Sequence, residues 1–198
     1  MPLVRRPSPP FEPSAAAPVS LTEGTSDQRW AAVRAAATRP DGVALLAAAL
    51  PQERDPRVLE AIFTALARVA TAESAAAVAP FIRSDDASLR AAALDALRAM
   101  PEASRPHVAR LLADPDPDVR LLSCELARGL PEGEANRLLS ALIDGEAEKN
   151  VVAAAVEVLA EVGRPEVLAA LARCAERFAG DPFLAFSIKV ATDRIGEP

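Results

Sequence analysis

Tyrosine is missing from this chain, and Trp30 and His107 are each the only residue of their kind. Aromatics make up 4% of the sequence, so an aromatic-walled pocket is poorly supplied. One histidine cannot build an HExxH site or a His cluster for zinc. Cys124 and Cys174 are the only cysteines. They form no CxxC pair, so neither a zinc knuckle nor a disulfide scaffold is indicated. No Gly-rich loop follows a strand, which removes the P-loop and Rossmann phosphate cradles. No run approaches the roughly 18 apolar residues of a membrane span, and residues 1–25 lack the apolar centre of a signal peptide. The expectation is a cytoplasmic protein with no cofactor, no metal and no membrane contact.

Lysine is scarce too, with only Lys149 and Lys189 against many arginines, a bias that fits a GC-rich bacterial genome. The net charge is −6, whereas a nucleic-acid binder usually carries a basic stripe. Nucleic acid is therefore not the expected partner.

What is abundant is alanine. It is the best helix former, while sheets favour branched and aromatic residues. With 51% hydrophobic residues in a chain of 198, one sizeable core or one short array of helices can form. The composition points to an all-α fold.

The chain repeats itself. Taking Val119 as an anchor, equivalents occur at Val58, Leu89, Val151 and Phe183, with spacings of 31, 30, 32 and 32 residues. A period in this range is the mark of a solenoid. The sixth residue of each unit is apolar: Phe63, Leu94, Cys124, Val156 and Ile188. The seventh is polar: Thr64, Asp95, Glu125, Glu157 and Lys189. An apolar column beside a polar one at helical spacing means one face in and one face out.

Two helix types alternate. The first follows a proline (Pro40, Pro101, Pro131, Pro165), or Thr71 as cap of the 72–82 segment. The second follows Asp55-Pro56, Asp116-Pro117 or Asp181-Pro182, with Asp86 in the same place but no proline. Aspartate caps the free amides of a first turn, and proline at the first helical position leaves no amide unpaired. Connections this short make antiparallel helix pairs. Residues 27–198 read as the repeat domain. Its first helix, from Asp27, aligns imperfectly with the later anchors, and Trp30 on it is expected to cover the end of the core.

Residues 1–26 contain six prolines and read as a disordered leader rich in Pro, Ala and Ser. A short binding motif built on Leu3, Val4, Arg5, Arg6 and Phe11 is the alternative to a solvated tail.

The stretch DPDVRLLSCELARGL, with Asp118-Val119-Arg120 and the near match Ser88-Leu89-Arg90, resembles the second helix of a HEAT repeat. The short HEAT-like repeats of the phycobilin lyase type are the most similar. The resemblance covers residues 27 to 196 and implies an α-solenoid of about five antiparallel helix pairs, with the second helices lining the concave face. In that family an aspartate and an arginine link neighbouring repeats. Here the arginine is present at Arg90 and Arg120 and replaced by Leu59, Val152 and Leu184.

Catalytic constellations are not suggested. Cys124 falls in the apolar sixth column and reads as core, as does Cys174. His107, after Pro106, reads as exposed at a helix start. Asp114, Asp116 and Asp118 resemble the opening of a calcium loop but lack its Gly and distal Glu, so an acidic turn with a cap is expected. Asp95, Glu125 and Glu157 would form a stripe on successive second helices, roughly 8–10 Å apart, too wide to share a proton. Arg68, Arg98 and Arg128 form a second row. These six residues, with Leu121, are the candidate partner-binding surface. Pairing within each helix, Asp95 with Arg98 and Glu125 with Arg128, is the competing reading.

The sequence thus points to a non-enzymatic scaffold or adaptor that binds another protein on its concave face. The alternative, implied by the repeat subtype, is a bilin lyase or a chaperone-like lyase subunit. The last unit, with Phe183, Leu184, Phe186, Ile188 and Val190, carries more apolar residues than one helix face needs. A bend of the last helix, cover by the leader, or a weak homodimer through matching C-terminal helices would each use them.

Overall fold

The computed structural model describes residues 20–196. Most of the expected leader lies outside the described residues. Ser20 to Thr25 are described, and Leu21 among them packs against the core.

Eleven α-helices make up the described chain: α1 Ser26–Ala36, α2 Gly42–Ala49, α3 Pro56–Val69, α4 Ala72–Val78, α5 Ala87–Arg98 and α6 Pro101–Leu112, followed by α7 Pro117–Cys124, α8 Glu132–Gly145, α9 Lys149–Val162, α10 Leu168–Arg177 and α11 Pro182–Gly196. They form two layers. The first-helix layer is α2, α4, α6, α8 and α10; the second-helix layer is α1, α3, α5, α7, α9 and α11. Each layer packs helix to next helix, and the core lies between the layers. The fold is an α-solenoid, as the repeat register predicts.

The caps form as their chemistry requires. Asp55 accepts hydrogen bonds from the amides of Arg57 and Val58, Asp86 from Ser88 and Leu89, and Asp181 from Phe183 and Leu184. Asp116 accepts from Asp118, and Thr71 from Ser74. Thr25 and Gln28 cap α1 reciprocally. The sixth column is buried at Phe63, Cys124, Val156 and Ile188 and half-buried at Leu94.

Three details depart from the sequence expectations. Helix α1 does not stand outside the register: it packs against α3 in the second-helix layer, and Val33 takes the sixth-column place. Its apolar signal is weak because Gln28 and Arg29 occupy the positions of Val58 and Leu59. Helix α6 starts at Pro101, not at Pro106. Pro106 sits inside it, sacrificing one ladder hydrogen bond, and His107 is half-buried rather than exposed. Helix α7 tightens after Cys124 into a 3₁₀ turn, Glu125–Gly129. A Cβ at Gly129 would lie 2.9 Å from the Cβ of Pro101, so glycine lets the end of this turn meet the start of α6.

The inter-repeat ladder exists, with acids the sequence did not single out. Glu53, Asp114 and Glu146 each stand two residues before a second-helix cap position, and all three are buried. Glu53 accepts from the amides of Arg54 and Asp55 and from the guanidinium of Arg29 at 2.7 and 2.9 Å. Glu146 repeats the pattern with the amides of Ala147 and Glu148 and with Arg120 at 2.7 and 3.0 Å. Asp114 accepts from the amide of Asp116 and pairs with Arg83. Asp118, expected in the ladder, is exposed. Arg90 makes a lesser version, donating to the carbonyls of Ser84 and Asp85. Buried acids saturated by a guanidinium and turn amides fix how each repeat follows the last.

Candidate functional site

Helical periodicity turns the seventh-column residues of the second helices outward, so that layer presents a long polar face broken by grooves. Between α1 and α3 runs a groove of about 620 Å³, lined by Trp30, Arg34, Arg57, Glu60 and Arg68 among others. Between α3 and α5 a second, of about 650 Å³, is lined by Thr64, Arg68 and Asp95. A third, also about 650 Å³, spans α7, α9 and α11 and includes Leu121, Glu157, Glu161, Phe183, Phe186 and Val190.

The structure places the seven candidate residues on this layer but not as two opposed free rows. Asp95 and Arg98 are exposed and loosely paired at 4.0 Å. Arg128 is half-buried and bridges helices: it pairs with Glu125 at 3.0 Å, reaches Glu157 at 3.9 Å, and bonds Glu161. Glu161 is a member of this cluster that the column pattern passed over, because it lies one turn beyond Glu157. Arg68 is exposed and has no acidic partner among the described residues. Leu121 is half-buried at the edge of the third groove.

Two aromatic features lie on the same face. Trp30 is half-buried and packs on the core, but it lines the first groove rather than closing the stack. The guanidiniums of Arg34 and Arg57 sit 5.0 and 5.3 Å from its ring centroid. At the other end the apolar surplus of α11 divides. Leu184, Ile188 and Ala191 are buried, whereas Phe183 and Phe186 are each 67% exposed and Val190 flanks them. Counting apolar residues in the sequence could not separate these two sets; helix phase does.

The nucleophile candidates are placed as packing residues. Cys124 is fully buried, its thiol bonded to the Arg120 carbonyl, and burial pushes its pKa up to about 12. Cys174 is buried and its pKa is raised for the same reason. Burial, then Arg110, lowers the pKa of His107. Asp114 belongs to the ladder, Asp116 caps α7, and Asp118 points outward, which accounts for the acidic run. Among the described residues no three His, Cys, Asp or Glu side chains gather as a metal site.

Comparison with known proteins agrees with this architecture. The family of HEAT repeats matches residues 105–181. A chain from a structure of microtubule plus end tracking by XMAP215, CLIP-170 and EB1 superposes with a TM-score of 0.60 at 14% identity, covering 89% of this chain and 88% of that one. At that identity the likeness is one of fold alone. The designed armadillo repeat protein YIII(Dq)4CqI reaches a TM-score of 0.45 at 16% identity, over 89% of this chain and 97% of its own. Among curated proteins none matches. Residues 105–181 thus match HEAT repeats, and helix pairs at the same 30–32-residue register continue on either side of that stretch.

Proposed function

We propose that the chain is a non-enzymatic scaffold or adaptor that holds another protein on its second-helix face, the concave face of HEAT arrays. The observation that carries this reading is the make-up of that face. It joins three open grooves, the sole tryptophan and, among the described residues, the two most exposed phenylalanines, while the described first-helix layer exposes one large apolar residue, Leu45. Exposed aromatics with charged neighbours are what protein interfaces use as anchors and steering groups. Both cysteines are buried with their thiol pKa raised by that burial, which supports a binding role over catalysis.

The test is site-specific photo-crosslinking in the native cell. A crosslinking residue in place of Ala92, on the second-helix face, is expected to capture a discrete protein that one in place of Ala169, on α10, does not. Equal capture from both positions, or none from Ala92, rejects the reading.

A further inference from the structure

The charges on the second-helix face are not evenly mixed. Of the arginines on it, Arg98 and Arg128 have acidic neighbours, and Arg57 pairs with Asp27 at 2.8 Å. Arg34 and Arg68 have no acidic partner among the described residues, and both line the α1–α3 groove beside Trp30. That groove holds three guanidiniums against Glu60 alone. Further along, the balance reverses. Asp95, Glu125, Glu157 and Glu161 follow one another from α5 to the end of α9, with Arg98, Arg128 and, at the α11 edge of the third groove, Arg194 as counter-charges, and Glu157 is 71% exposed in its side chain. The face therefore runs from cationic and aromatic at α1–α3 to acidic at α5–α9.

Resting on the scaffold reading, we propose that this face takes a polar segment of the partner protein. Its acidic end lies on Trp30, Arg34 and Arg68, and its basic end runs toward Asp95 and Glu157. Like charges in one groove repel over a Debye length of roughly 8 Å at physiological salt. A carboxylate entering the α1–α3 groove relieves that repulsion and forms charge-assisted hydrogen bonds with two guanidiniums that no acid of the described chain engages. The half-buried indole supplies a flat apolar surface for the intervening methylenes. Neighbouring helices are spaced by roughly 8–10 Å. A stretch from the α1–α3 groove to α5–α7 is then spanned by about five or six extended residues at roughly 3.3 Å each. The same arrangement disfavours a uniformly acidic partner, which Asp95 and Glu157 repel, and a uniformly basic one, which Arg34 and Arg68 repel.

The probes are three labelled twelve-residue peptides titrated into the full chain, read by anisotropy and by the emission of Trp30. One has four Glu, a Gly-Ser spacer and four Lys. The second has the same composition with Glu and Lys alternating. The third replaces the Glu block by Gln. The block peptide is expected to bind at least tenfold more tightly than either of the others and to weaken as salt rises. R34E/R68E, both at exposed positions, is expected to lose that tenfold preference with an unchanged melting temperature. Equal binding of the block and alternating peptides, or no binding of the block peptide, overturns the proposed polarity. So does an R34E/R68E variant that binds as the parent does. Tighter binding of a single-stranded DNA 12-mer, lost in the same variant, assigns the groove to nucleic acid and overturns it as well. Any of these results alongside retained crosslinks from Ala92 rejects the polarity alone; loss of the crosslinks rejects the scaffold reading beneath it.

Discussion

At the scale of single residues, burial decides what the titratable groups can do. Cys124 occupies a sealed column position, so its Ala variant should lose about 1–2 kcal/mol and its Asp variant several, because an unpaired carboxylate would replace a packed thiol. Urea denaturation measures both, and native Cys124 should resist a bulky thiol reagent until the chain unfolds. Glu53 carries the clearest pH signature. The Arg29 guanidinium and two turn amides hold its carboxyl down at about 2, against an ordinary 4.5. A depressed acid adds stability above its unfolded pKa and loses it as pH falls through the folded one. Glu53 therefore contributes fully at pH 7, and the contribution drains away between about 4.5 and about 2. Glu53→Gln should be less stable than the parent at pH 7, by on the order of 2 kcal/mol. The gap should close toward pH 2. A gap that stays constant with pH would mean that packing, not charge, accounts for it.

At the scale of helices and turns, the ladder sets one repeat on the next. Arg120 ties α7 to the turn before α9 through Glu146 and to its own leading turn through the carbonyls of Asp114 and Pro115. Arg120→Ala would strand a buried carboxylate, at a cost of about 3–5 kcal/mol, with faster amide exchange in the first turn of α9. Arg90→Ala should cost about 1 kcal/mol, since Arg90 serves only carbonyls. Equal losses in the two variants would show that Glu146 adds nothing. Much of this scale was legible in the sequence. Asp-Pro caps and the sixth-column apolar residues are local signals, and each stands at its predicted place. The ladder acids were less legible, because Glu53, Asp114 and Glu146 look like ordinary turn residues. Their recurrence two places before a cap position is the signal that could have found them. The cationic groove was hidden for another reason: Arg34 shares the seventh column with Thr64 only once α1 is admitted to the register, and Gln28 and Arg29 disguise that membership.

At the scale of the whole molecule, the open question is the apolar end of the second-helix face. Leu184, one of the apolar residues that the sequence offered for self-association, is buried in the core. Leu184→Arg would put a charge into that packing and unfold the last pair, whatever the oligomeric state. The residues available to a second copy are Phe183, Phe186 and Val190. A phenylalanine offers roughly 200 Å², so at their observed exposure the patch amounts to roughly 300 Å² per chain. A stable interface buries about 800 Å² on each partner. The apolar patch alone supplies less than half of that area, so a two-fold contact centred on it is expected to be weak. Sedimentation equilibrium should find a monomer at micromolar concentration and at most a trace of dimer near millimolar. F183S/F186S should remove that trace without lowering the melting temperature, because both rings already face solvent. A dimer at micromolar concentration that survives this double change would place self-association on another surface and leave Phe183 and Phe186 to the partner protein.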